Sequence, residues 1–160
     1  MYSSTLSLTA FLAAAGLSAA TPIVNSRAVC LEQAPASIGF PINFSITPTN
    51  SPLVSFNVPP NSVGPCSLVA KFPAGYPITS SGSNLVNVIA VGGPAPGALV
   101  GSVRFASSPD QRTFTTINSF ACRPYMEFRL EISRDQANPG SVAFQEVQGA
   151  GLFLDIGDNC

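Results

Sequence analysis

With 160 residues, 7 basic against 8 acidic side chains and a net charge of −1, the chain lacks the clustered positive charge that nucleic-acid binding requires. It contains no histidine, which removes the commonest general base and the usual serine or cysteine triads. Hydrophobic residues make up 46% and charged residues only 9%, enough apolar area for one buried core and one domain.

Residues 1–20, MYSSTLSLTAFLAAAGLSAA, carry no charged side chain, hold an apolar stretch from Leu8 to Leu17 and end in small residues at Ser18 and Ala20. That layout is expected of a secretory signal peptide, with Thr21 the first mature residue. Its apolar run is shorter than the about 20 residues that cross a bilayer. An N-terminal segment, 21–35, and a single domain, 36–160, follow. The closing GLFLDIGDNC is no hydrophobic tail, so the expected product is soluble and extracellular, with neither membrane span nor lipid anchor.

Within the domain, 15 prolines and 13 glycines punctuate short runs rich in Val, Ile, Phe and Thr, which is the pattern of an all-β chain. The first expected strand is 38–46, and inside it Asn43-Phe44-Ser45 is the one N-x-S/T sequon free of proline. It predicts an exposed glycan acceptor at Asn43, and the competing account is an unused sequon inside a strand. The proline-rich stretch 47–65 reads as a long loop crossing an edge or an end.

CSLVAKFP then places Cys66, Leu68, Ala70 and Phe72 on one face and Lys71 on the other, because strand side chains alternate. Further strands are expected at 84–91, 98–105 and 113–120, with VGGPAPG, 91–97, as a loop and SSPDQR, 107–112, as a hairpin turn. In YMEFRLEI, Met126, Phe128, Leu130 and Ile132 face the core, while Glu127, Arg129 and Glu131 face water. The last two strands, 141–147 and 151–156, turn Val142, Phe144, Leu152, Leu154 and Ile156 inward and Asp155 outward. About eight short strands with evenly spaced turns and no amphipathic helix predict an antiparallel β-sandwich.

Behind a signal peptide, the four cysteines Cys30, Cys66, Cys122 and Cys160 read as two disulfides. A metal site is disfavoured, since the chain has no CxxC pair and no histidine. Three connectivities are open and spacing does not choose among them. Chain ends that tend to lie close favour Cys30 with Cys160, leaving Cys66 with Cys122.

Chemistry is harder to find. Ser67 and Lys71 lie about 13 Å apart on an extended strand at about 3.3 Å per residue, too far to share a proton. The acidic residues Glu32, Glu127, Glu131, Glu146, Asp110, Asp155 and Asp158 are the material for a two-carboxylate hydrolase, with Glu127 and Glu131 on one wet face. The competing account is a solvated strand face paired with Arg129 or Arg104. DIGDN lacks the ligand spacing of a calcium loop. No catalytic residue, metal or cofactor is assigned. Tyr76, in AGYP, and Tyr125, in RPYM, are the candidate ligand-facing aromatics, and the competing account makes each a partly buried packing residue.

PCSLVAKFPAGYPITSSGS, VNVIAV, GSVRF, TTINSFAC, FRLEI and GLFLDIGDNC occur in that order. Together they resemble the fungal But-two C-terminal domain family, named from a ubiquitin-three-binding protein, over about residues 60 to 160. The family's motifs fall on Cys66 to Pro73, Phe120 to Cys122 and Gly151 to Leu154. ACRPYMEF departs from the glycine-containing turn that the family would place after its second cysteine. The resemblance implies a secreted or cell-surface β-rich fungal domain and brings no catalytic residues.

The leading expectation is a secreted, non-catalytic structural or interaction protein, glycosylated and acting at the fungal cell wall or on a host surface. Its partner would be a cell-wall polysaccharide or a host or fungal surface protein, and the sequence names neither. The alternative is a carbohydrate-binding module, and the third reading is the two-carboxylate hydrolase.

Overall fold

The computed structural model describes residues 30–160 apart from 38, 93, 94, 136 and 159. The expected signal peptide and its cleavage point lie outside the described residues. The described chain is all strand and turn: β1 (Leu31–Gln33), β2 (Ile42–Ile46), β3 (Leu53–Asn57), β4 (Pro65–Phe72), β5 (Ile78–Ser81), β6 (Leu85–Ala90), β7 (Leu99–Arg104), β8 (Thr113–Ala121), β9 (Tyr125–Ile132), β10 (Ser141–Glu146) and β11 (Gly151–Ile156). They pair antiparallel into three sheets, β1-β11-β4-β8, β2-β10-β5 and β3-β9-β6-β7.

One apolar interior serves all three sheets. The second sheet contributes Phe44, Ile46, Val142 and Phe144, the first Leu68, Phe72, Leu152 and Leu154, and the third Phe56, Val86, Phe128 and Leu130. Phe72 lies edge-on to Phe144 at 5.4 Å and to Phe105 at 6.3 Å, while Phe44 stacks on Phe144 at 5.2 Å. Offset and edge-on contacts of this kind are each worth about 0.5–1.5 kcal/mol beyond the area they bury.

The alternation expected of β9 holds, with Phe128, Leu130 and Ile132 buried and the acidic and basic residues between them partly exposed. Three strands depart from the expectation of eight. β3 runs through the stretch read as a proline-rich loop, where Val54 and Phe56 alternate into the core between Pro52 and Pro59. β1 falls in the segment 21–35, and β5 is too short and polar to announce itself.

Residues 107–112 do not turn a hairpin either: they carry the chain from β7 in the third sheet to β8 in the first. The two strands meet across the sheets, where Gly101 leaves room for Ile117 and Asn118 Nδ2 donates to the carbonyl of Val100 at 2.6 Å. Among the described residues, only β6 and β7 are both consecutive in the chain and paired in a sheet.

Both disulfides join the expected cysteines. Cys30–Cys160 clasps β1 to the end of β11, with Cα atoms 5.5 Å apart. Cys66–Cys122, with Cα atoms 5.0 Å apart, ties the start of β4 to the point where the chain leaves β8. In the chain-entropy model, loops this long are worth about 4 to 5 kcal/mol each.

Candidate functional site

The chain passes from β8 in the first sheet to β9 in the third within residues 122–124. Cys122 fixes the start of this crossing through its disulfide, and Val58 donates its backbone N–H to the Pro124 carbonyl at 3.0 Å to fix its end. Beside the crossing, the β6–β7 hairpin is hung on β9 by the Val91 N–H to Glu127 carbonyl bond, 2.9 Å. A groove of about 230 Å³ opens between the two.

Its lining includes Ala90, Ala98 and Val100 of the hairpin, the apolar side chains Phe120, Met126 and Phe128, and the polar Arg123, Tyr125 and Glu127. Tyr125 is 53% exposed, and its hydroxyl donates to Glu127 Oε1 at 3.1 Å. Phe120 lies 5.7 Å from Phe128 and backs the wall with a second aromatic layer. An exposed aromatic on a covalently pinned turn, with a carboxylate and a guanidinium in the same lining, is suited to hold a ligand that presents both an apolar face and hydroxyl or amide groups.

Tyr76 stands elsewhere. It follows the far end of β4, with its ring 5.5 Å from that of Phe72, and its hydroxyl donates to the Gln145 carbonyl. Half-buried, it packs on the core, so the two tyrosines do not share a surface. Burial raises the Tyr76 hydroxyl above its ordinary range, helped by the nearby Glu146.

The carboxylates are distributed differently from their order in the sequence. Glu127 and Glu131 do lie on one face of β9, where Arg129 pairs with Glu131 at 2.5 Å. Glu32 and Asp155, far apart in the chain, are direct cross-strand partners on β1 and β11. Lys71, only 4% exposed, ion-pairs with Glu32 Oε2 and sits 4.1 Å over the Phe153 ring. Burial lowers the Lys71 ammonium, partly offset by the charge of Asp155; burial likewise raises Asp155, partly offset by Lys71 and Arg112. No groove described here includes either carboxylate.

One of the seven acidic residues weighed for a carboxylate pair is fully enclosed. Glu146 has 0% exposure, and neither carboxyl oxygen has a hydrogen-bond partner among the described residues. Burial pushes its pKa up to about 8; the Leu152 backbone N–H, near but not in hydrogen-bond contact, pulls weakly the other way. The signal was present in SVAFQE, where Glu146 has the same phase as Val142 and Phe144.

Asn43 is exposed on β2 and accepts from Gln145 Nε2 at 3.2 Å. Comparison with protein-family models, with curated proteins and with solved structures finds no match.

Proposed function

We propose that the chain is a secreted, non-catalytic fungal domain of the But-two C-terminal kind, acting by binding at the cell wall or on a host surface. The observation that carries this reading is the groove at Tyr125, mounted on a crossing that the Cys66–Cys122 bridge holds in place. Pre-organisation of that kind lowers the ordering cost of binding. Two disulfides in so small a domain are typical of oxidising, extracellular compartments. The test is capture of binding partners from cell-wall fractions with the purified protein and with Tyr125→Ala and Arg123→Ala variants. Retained binding by both variants removes the groove from the account.

A second reading, a carbohydrate-binding module, is favoured by the Tyr125 ring and its Glu127-anchored hydroxyl, since a sugar offers a C–H face to stack and hydroxyls to bond. A glycan array separates the two. Saturable binding of one polysaccharide class, abolished by Tyr125→Ala, selects the second reading, whereas binding to protein alone selects the first.

A further inference from the structure

The sequon lies on a strand whose alternation sorts its three residues. Phe44 points into the core against Phe144, while Asn43 and Ser45, on either side of it, are both exposed on the outer face of the second sheet. Asn43 Oδ1 is engaged by Gln145 Nε2, and among the described residues its own Nδ2 has no partner. The strand is also an edge, since β10 is the one strand paired with β2 among the described residues.

On that edge the backbone phase can be read directly. Asn50 Nδ2 donates to the Ser45 carbonyl, so this carbonyl points away from β10. In an antiparallel strand, groups two residues apart point the same way. The N–H and carbonyl of Asn43 therefore face the same outer edge, which Asn50 covers at Ser45 and Thr47. The outer face behind it consists of Asn43, Ser45, Thr79, Ser81, Ser141, Ala143 and Gln145, with no charged side chain. Charge is a common means by which natural sheets keep such edges from pairing with another chain.

We propose that Asn43 is a modified residue bearing an N-linked oligosaccharide, and that this glycan guards the β2 edge against strand addition by a second copy. The site rests on the export reading given above. In the reaction, Asn43 Nδ2 bonds to the anomeric carbon of a lipid diphosphate-linked oligosaccharide. The carbon–oxygen bond to the diphosphate breaks, the diphosphate departs with the bonding electrons, and Nδ2 gives up one proton. Ser45 supplies the hydroxyl that the sequon requires. A branched, hydrated chain rooted at this position occupies the space that an incoming strand needs.

The experiment is to express the full chain in a secreting eukaryotic host and measure intact mass in medium and cells, before and after peptide N-glycosidase. Expected is a secreted protein heavier than its polypeptide by one glycan, with enzymatic removal converting Asn43 to Asp, and with Asn43→Gln and Ser45→Ala both lacking the added mass. Bare Asn43 in protein recovered from the medium overturns the proposal and leaves the export reading standing. Retention inside the cell brings both down. Sedimentation then tests the guard: wild type stays monomeric while Ser45→Ala self-associates, and a Ser45→Ala variant as monomeric as wild type removes the protective role.

Discussion

The carboxyl of Glu146 lies over Gly151, in the space that a side chain at residue 151 would fill. Gly151 also has φ +132°, a region that L side chains avoid. The β10–β11 connection thus depends on a missing Cβ at one position to enclose an acid at the other.

The enclosed acid sets a pH dependence. Glu146 ionises near its ordinary 4.5 in the unfolded chain and near about 8 in the fold. Between those values the unfolded state binds fewer protons, so stability is full below about 4.5 and falls as pH rises, by up to about 1.4 kcal/mol per unit, levelling above about 8. Urea unfolding of wild type across this range shows the decline, and Glu146→Gln flattens it. A wild-type profile as flat as that of the variant contradicts the burial of this carboxyl.

Gly151→Ala is expected to cost about 3 kcal/mol or more, from the backbone conformation and from collision with the Glu146 side chain. Pairing it with Glu146→Ala relieves the collision but not the backbone. A double-mutant cycle by thermal unfolding therefore gives a combined loss smaller than the sum of the single losses.

Removing the inner bridge by Cys66→Ser with Cys122→Ser is expected to lower stability by about 4 kcal/mol. Hydrogen exchange should rise most across residues 121–126, the crossing that carries Tyr125. Uniform exchange across the sheet, with no local excess there, separates the bridge from the groove.

Lys71→Met removes the ammonium that pairs with Glu32 and whose charge, with that of Arg112, acts on Asp155. The expected loss is about 1 to 3 kcal/mol near pH 7, narrowing in acid as the two carboxyls take up protons. Chemical denaturation at both pH values measures it. The burial-raised carboxyl of Asp155 rises further in the variant, which NMR titration reads directly.

What was legible in the sequence is what period-two alternation encodes. β9 was readable because Phe128, Leu130 and Ile132 alternate with Glu127, Arg129 and Glu131, and β10 because Val142 and Phe144 lie between Ser141 and Gln145. In β11 the inward set Leu152, Leu154 and Ile156 is buried as expected, but Phe153 between them is buried too. Alternation carried β3 as well, through Val54 and Phe56, but the prolines around it outweighed so short a run. Burial of Val69, Lys71 and Phe153 on the second face of the first sheet was not legible, because one strand does not show whether both of its faces are covered.

Pairing was hidden for a different reason. Turn residues announce neighbours only when consecutive strands pair, and among the described strands that happens once, at β6 and β7. The meeting of Glu32 with Asp155, and the groove between the β6–β7 hairpin and the β8–β9 crossing, both arise from long-range pairing. Neither leaves a mark in local composition.

The Cys30–Cys160 clasp makes the described chain a closed loop, with the Cα atoms of its two ends 5.5 Å apart. Tension applied between residues 30 and 160 loads a covalent sulfur bond and leaves the sheets slack. A domain anchored at one end and tugged at the other would hang from its tether like a pendant, mechanically silent until that bond is reduced.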